Sequence, residues 1–222
     1  MAKRQRLKKR LYLLQRKRNK LLHQEDNARS SGYRSVAGVD EAGRGPLAGP
    51  VVASSVILKR HDFSVRIDDS KKLNPHARKR AYEEILDKAI IGIGIVSETV
   101  IDNINIYHAT MLAMERSILD LSCTPDLLLI DGNMRLRLTM QQRTIVKGDQ
   151  KSLSIACASI VAKVTRDRLL EFYDRIFPGY GFYRHKGYGT KKHMDAILKK
   201  GFSPIHRRSF HVKQQFQYLN LR

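Results

Sequence analysis

Apolar residues in this chain fall into short unbroken runs, set apart by glycine, proline and charged stretches. Residues 36–40 and 51–58 read as neighbouring strands around a Gly/Pro-rich turn, with 63–67 a weaker third. Asn74 suits a helix N-cap and Pro75 the first helical position, so a helix is expected over 75–89. The β-branched run 90–96 reads as another strand. Residues 97–121 fit a helix, with Ile104, Met111, Leu112 and Leu119 alternating against His108 and Glu115. The apolar run 127–131 ends in Asp131-Gly132-Asn133, the pattern of a buried central strand, and 144–146 makes a last short strand. A long helix over 152–177 stops at Pro178-Gly179. A Gly/Tyr-rich loop (179–189), a helix (190–200) closed by Gly201 and a basic tail complete the chain. Strands first, then helices and strands in alternation, point to an α/β domain with a mixed sheet.

Charge divides the chain unevenly. Of a formal net charge of +21 over 222 residues, residues 1–35 carry +10, from twelve Lys or Arg against Glu25 and Asp26. No acid precedes Glu25, while Leu7, Leu11, Leu14 and Leu21 recur at helical spacing; a basic amphipathic helix is expected over 1–24 and a polar linker over 27–32. The expected organisation is a basic N-terminal helical extension with its linker (1–34) and one main domain (35–222). Such a field selects nucleic acid or an anionic membrane surface as partner. No run approaches the roughly 20 apolar residues that span a bilayer, and the basic N-terminus lacks the apolar core of a secretion signal, so no membrane insertion is expected. Cys123 and Cys157, both in apolar surroundings, read as buried thiols in a reducing compartment. A soluble, cytoplasmic protein is expected.

Candidate chemistry begins at Asp40-Glu41, where an apolar run breaks into glycines and an arginine. Neighbouring strand residues point to opposite faces, so these carboxylates share a partner only if the strand ends there. Gly43 and Gly45 permit the bend and a close backbone approach, and Arg44 between them is placed to meet an anion. A polar turn between two strands accounts for the same residues equally well. Asp40, Asp131 and Asp149 each stand at an expected strand end near a glycine. Ligands collect beyond the carboxyl ends of strands in open α/β sheets; if the three strands are neighbours, these aspartates and Glu41 converge. An all-oxygen set suits Mg²⁺ or Mn²⁺ rather than zinc, and crowded anions themselves favour a bound cation. Capping of the following helix competes as an explanation for Asp149. At the end of an apolar run, Asp131 favours function.

The ordered motifs are specific. They are the run from Gly38-Val39-Asp40-Glu41-Ala42-Gly43-Arg44-Gly45-Pro46 to Ala53, then Asp69-Ser70-Lys71-Lys72-Leu73, Ile130-Asp131-Gly132-Asn133 and Lys147-Gly148-Asp149. After these come Ile155 to Asp167, Tyr180-Gly181-Phe182, His185-Lys186-Gly187-Tyr188-Gly189-Thr190 and His206-Arg207-Arg208-Ser209-Phe210. Over about residues 35–211 the chain resembles the bacterial ribonuclease HII family. The resemblance implies an RNase H-like fold, with a central mixed β-sheet flanked by helices and a helical C-terminal segment. It implies a monomeric endonuclease that uses two divalent ions, Mg²⁺ or Mn²⁺. Its partners would be RNA–DNA hybrids and ribonucleotide-containing duplex DNA, cut on the 5′ side of a ribonucleotide to leave 3′-hydroxyl and 5′-phosphate ends. By the same resemblance Asp40, Glu41, Asp131 and Asp149 are the catalytic, metal-binding carboxylates. Gly43, Arg44 and Gly45 read the 2′-hydroxyl, Ser70 and Lys71 help grip phosphate, and Tyr188 stacks beside the scissile junction.

Lys163 and Asp167 stand four apart on a helix and read as a supporting ion pair. Phosphate contact or helix capping is expected of His185, His193 and His206. Cys157 stands where the family commonly has alanine. The basic N-terminal segment is longer than the family needs, yet too short for the extra domain of ribonuclease HIII. A non-enzymatic basic nucleic-acid binder fits the charge equally well, but a pure phosphate binder gains nothing from carboxylates gathered on its binding face.

Overall fold

The computed structural model describes residues 18–210 without a break, together with Gln5, Tyr12, Gln15 and Arg16. Leu7, Leu11 and Leu14, on which the expected N-terminal helix rests, lie outside the described residues, as does the basic tail beyond Phe210.

Five strands form one sheet: β1 (Val36–Ala42), β2 (Val51–Leu58), β3 (Ala89–Val96), β4 (Leu127–Asp131) and β5 (Gln141–Ile145), in the order β3-β2-β1-β4-β5. β1 pairs antiparallel with β2 and parallel with β4, and β5 extends the parallel side. The sheet is therefore mixed, and the strands that end near Asp40, Asp131 and Asp149 are neighbours. Among the described residues there are six helices: α1 (His23–Ser30), α2 (Pro75–Lys88), α3 (Glu98–Leu119), α4 (Leu153–Ile176), α5 (Phe182–His185) and α6 (Lys191–Lys200).

Alternation along the strands decides which helix covers which face. Ala37, Val39, Leu128 and Ile130 pack with Ala113, Met114 and Ile118 of α3. The opposite set, Val36, Leu127 and Leu129, meets Ile155 of α4, and Val56 is closed over by α2 and α4 through Ile85, Ala156 and Ile160. Gly38 belongs to this second face; a side chain there would run into the backbone of Ser154 and Ile155. That close approach sets the start of α4 directly on the central strand, two residues before Asp40.

Helix starts follow local chemistry. Asn74 Oδ1 accepts the Ala77 amide at 2.8 Å with Pro75 in the first turn, and Ser152 and Thr190 cap α4 and α6 through Ile155 and His193. The expected 97–121 helix holds a break at Asn105 (φ 63°), whose Oδ1 accepts the amides of Tyr107 and His108 and so begins a new helical segment.

Four expectations are corrected. Residues 63–67 form no strand; Phe63 and Ile67 are apolar because they turn into the α2–α4 core. β5 begins at Gln141, since a half-exposed edge strand is polar and only its end reads as apolar. Cys123 is exposed, while Cys157 is buried on α4. Residues 27–30, read as linker, continue α1, and Leu21, Leu22, Glu25 and Ala28 are buried.

Glu25 explains that last correction. Its Oε1 accepts from Ser152 Oγ (2.6 Å), Ser154 Oγ (2.7 Å) and the Ser154 amide (2.9 Å). A carboxylate so placed satisfies orphan donors at the start of α4 and opposes the helix dipole favourably. Glu25→Ala is expected to lower unfolding free energy by about 2–3 kcal/mol, with Glu25→Gln intermediate because it keeps an acceptor. Urea denaturation measures this; unchanged midpoints in both variants would contradict it.

Candidate active site

One open cavity lies at the carboxyl ends of β1 and β4. Asp40, Glu41, Asp131 and Asp149 all line it, so the structure brings together the four carboxylates singled out in the sequence. β1 runs past Asp40 to Ala42, so Asp40 is not at a strand end as expected; the cavity wraps the end of the strand and is lined by residues of both parities. Asp131 closes β4, and its Oδ1 accepts the Gly148 amide at 2.6 Å. This bond ties β4 to the 3₁₀ turn Gly148–Gln150 that carries Asp149. The cap of α4 is Ser152, so Asp149 is free of that role.

The carboxylates oppose one another. Burial, followed by the charges of Glu41 and Asp131, pushes Asp40 well above the usual carboxylate range. Its Oδ1 accepts the Glu41 amide at 2.7 Å. Glu41 is also raised by burial, against the lowering charge of Arg44, whose Nη1 lies 3.4 Å from Oε1. Asp149 is pushed up to about 6 by burial and then by Asp69 and Asp131. Nearby Lys163 is engaged by Asp167 at 2.6 Å, as their spacing predicts. Among the described residues no three His, Cys, Asp or Glu side chains close around one point. The donors at the cavity are oxygens, with neither Cys nor His in its lining. Mg²⁺-like ions take one or two carboxylates and complete their shell with water and phosphate oxygens. An open cluster of crowded, partly desolvated carboxylates fits such ions, which would relieve its repulsion.

Gly43, Arg44 and Gly45, which follow Glu41 directly, line the same cavity. Gly43 has φ +98°, and a side chain there would strike the Arg166 guanidinium. Two buried arginines hold the loop from behind. Arg207 donates to the carbonyls of Gly43 (2.6 Å), Arg44 (3.0 Å) and Gly49 (2.9 Å). Arg166 donates to Pro50, Ala48 and Lys186, each at 2.9 Å. Burial drives both guanidiniums down, Arg166 to about 10 and Arg207 to about 9, where the charge of Arg166 adds to the effect. Buried Glu98 supplies the opposing charge. Both arginines stood within the sequence motifs but carried no assigned role.

Tyr188 is 47% exposed at the mouth, with Cε1 3.7 Å from where a Gly45 side chain would begin. Ser70 and Lys71 sit in the 3₁₀ turn Ser70–Lys72, whose cap Asp69 accepts the Lys71 amide at 2.9 Å. Ser70 is buried and bonded to Ser159 (3.0 Å), while Lys71 is exposed. Asp69, which faces Asp149, went unassigned in the sequence although it opens the Ser-Lys-Lys motif. The three histidines lie outside the cavity lining, and none caps a helix, which removes one of the two roles expected of them.

A model of the ribonuclease HII family matches residues 37–213. The chain belongs to that family. Ribonuclease HII of Syntrophus aciditrophicus is 54% identical over 204 residues, covering 90% of this chain and 96% of its own. Ribonuclease HII of Bacillus subtilis is 52% identical over 191 residues, covering 86% and 74%. Among solved structures, ribonuclease H2 from Pyrococcus horikoshii superposes with a TM-score of 0.69 at 25% identity, over 80% of this chain and 94% of that one. As a ribonuclease HII family member the chain is a nuclease, a hydrolase built on the RNase H-like α/β fold.

Proposed function

We propose that the chain is a monomeric, cytoplasmic endonuclease that hydrolyses the RNA strand of RNA–DNA hybrids. We propose further that it cuts 5′ of ribonucleotides embedded in duplex DNA, leaving 3′-hydroxyl and 5′-phosphate ends. The observation that carries this reading is one cavity lined both by raised, crowded carboxylates and by the braced Gly43–Gly45 loop. Asp40, Glu41, Asp131 and Asp149 are the residues that would hold two Mg²⁺ or Mn²⁺ ions. Bound there, the ions supply an activated water and charge to offset the leaving 3′ oxygen.

The remaining roles belong to the chain itself. The Gly43–Gly45 backbone meets the 2′-hydroxyl, the one group that separates RNA from DNA. Arg44, held by Glu41, presents its cation to phosphate at the rim, where Ser70 and Lys71 add further donors. Tyr188 offers a ring for stacking. The basic residues ahead of α1 add to a field that attracts duplex backbones, and the catalytic body includes α1 itself, since Leu21, Leu22, Glu25 and Ala28 are buried. Among the described residues no helix is long and apolar enough to cross a membrane.

The full chain in Mg²⁺ is expected to cut an RNA–DNA hybrid and leave an all-DNA duplex intact. Equal cutting of both, or of neither, would overturn the proposal. Ion binding must displace protons from carboxylates that burial keeps protonated. With Asp149 at about 6, its own proton competes below that value, and Asp40, pushed well above its usual range by burial, adds to the competition. The Mg²⁺ concentration for half-maximal cleavage is expected to rise as pH falls, by up to about tenfold per unit for each proton displaced, with Asp149 contributing below about 6. A flat requirement down to pH 5 would contradict the assignment.

A further inference from the structure

Three histidines that take no part in the carboxylate cavity lie together behind the Tyr188 loop. His193 and His206 are buried, with their Nε2 atoms 3.0 Å apart, and His185 stacks on His193 with centroids 4.3 Å apart. Their end partners fix every proton. The Ser203 amide can only donate and lies 2.9 Å from His206 Nδ1, so the His206 proton sits on Nε2. That proton points at His193 Nε2. The His193 proton is then on Nδ1, 2.9 Å from the Tyr188 carbonyl oxygen, which can only accept. His185 is fixed likewise: Nδ1 accepts the Gly187 amide at 3.2 Å and Nε2 donates to the Tyr180 carbonyl at 2.8 Å.

The row runs in one direction, from the Ser203 amide to the Tyr188 carbonyl, and works only with neutral rings. A second proton on His193 or His206 would set donor against donor. Burial keeps both down to about 4, which satisfies that requirement. The Gly187 carbonyl in turn accepts the Leu47 amide at 2.8 Å, tying the tyrosine loop to the chain just after Gly45. Three polar rings are a costly filling for a pocket walled by Tyr180 and Phe182, where apolar side chains would leave no buried donors to satisfy.

We propose that this ordered row of imidazoles fixes the backbone on both sides of Tyr188 and so aims its ring across the cavity mouth. His185, His193 and His206 are then positioning residues for the tyrosine that meets the substrate. The inference rests on reading Tyr188 in that role.

The test compares His193→Leu with His193→Asn on a duplex holding one ribonucleotide. Both lose the bond to His206, but asparagine can still donate to the Tyr188 carbonyl from near the Nδ1 position. Removing an aromatic stack costs on the order of five- to a hundredfold, so Tyr188→Ala should cut that much more slowly. His193→Leu should approach the same loss, His193→Asn should recover most of it, and His193→Leu should add nothing in the Tyr188→Ala background. Equal losses in the two His193 variants, or additive loss with Tyr188→Ala, would overturn the inference while leaving the tyrosine's role intact. A Tyr188→Ala variant that cuts at full rate would remove the reading beneath it. Should the leucine variant fail to fold, nitrogen-15 NMR of the intact protein decides: Nδ1–H on His193 with Nε2–H on His185 and His206 supports the row, and the opposite tautomer on His193 overturns it.

Discussion

Asp131→Asn is expected to abolish cleavage while leaving the fold as stable as before, or more so. Asp131 Oδ1 accepts the Gly148 amide, a bond that an asparagine oxygen can keep, so β4 and the Asp149 turn stay joined. The negative charge of Asp131 raises Asp40, Glu41 and Asp149 alike, and its removal relieves all three. Like charges gathered without a cation destabilise a fold, so their relief favours it. The chemistry moves the other way. A lost carboxylate weakens the hold on a divalent ion that contributes several kcal/mol to the transition state, which is at least about a hundredfold in rate. Duplex affinity should hold or improve, since an anion has left the binding face. Single-turnover cleavage and thermal unfolding on the same sample check both halves. Near-normal turnover in Mg²⁺ would remove Asp131 from the metal-binding set.

Arg207→Lys is expected to damage stability and substrate discrimination together. The Arg207 guanidinium is planar and delivers its donors to three carbonyls of one loop, from Gly43 to Gly49. Lysine is a point charge and cannot reproduce that fork. Some of the loop carbonyls would lose their partners, because one ammonium cannot reach all three. Leaving two of these buried carbonyls without a donor costs about 2–6 kcal/mol, a large share of a typical total. Below the new unfolding temperature the surviving enzyme should still bind duplex, because its exposed cations are untouched. Its preference for a ribonucleotide over a deoxynucleotide should fall at least about tenfold, since the reading backbone has lost its brace. Urea denaturation together with the ratio of cleavage on the two substrates measures this. A stable variant with full discrimination would show that the loop holds its shape without Arg207.

Much of this architecture is legible in the sequence, because local chemistry fixes it. Asn74-Pro75, Ser152 and Thr190 announce helix starts with their own side chains, and the run ending at Asp131 has the apolarity of a strand covered on both faces. What stays hidden depends on partners far along the chain. Glu25 falls between the expected basic helix and the expected linker, and only Ser152 and Ser154 make it a buried cap. Arg166 and Arg207 have no role assigned in the sequence, and gain one only when the carbonyls of 43–50 are folded over them. Phe63 and Ile67 have the apolarity of a strand but spend it on packing against α2 and α4 rather than on pairing. The carboxylates were legible by type and motif, whereas their mutual repulsion exists only once β1, β4 and the turn after β5 are side by side.

The central claim is that the Gly43–Gly45 loop and the carboxylates of the same cavity together recognise a 2′-hydroxyl and cut beside it. The most direct measurement uses one duplex with a single variable sugar, carrying at that position hydrogen, hydroxyl or O-methyl at the 2′ carbon. In Mg²⁺ the hydroxyl duplex alone should be cut, once, on the 5′ side of that sugar, with a 3′-hydroxyl left behind. Comparable cutting of the deoxy or O-methyl duplex, or a cut elsewhere on the hydroxyl one, would contradict the claim.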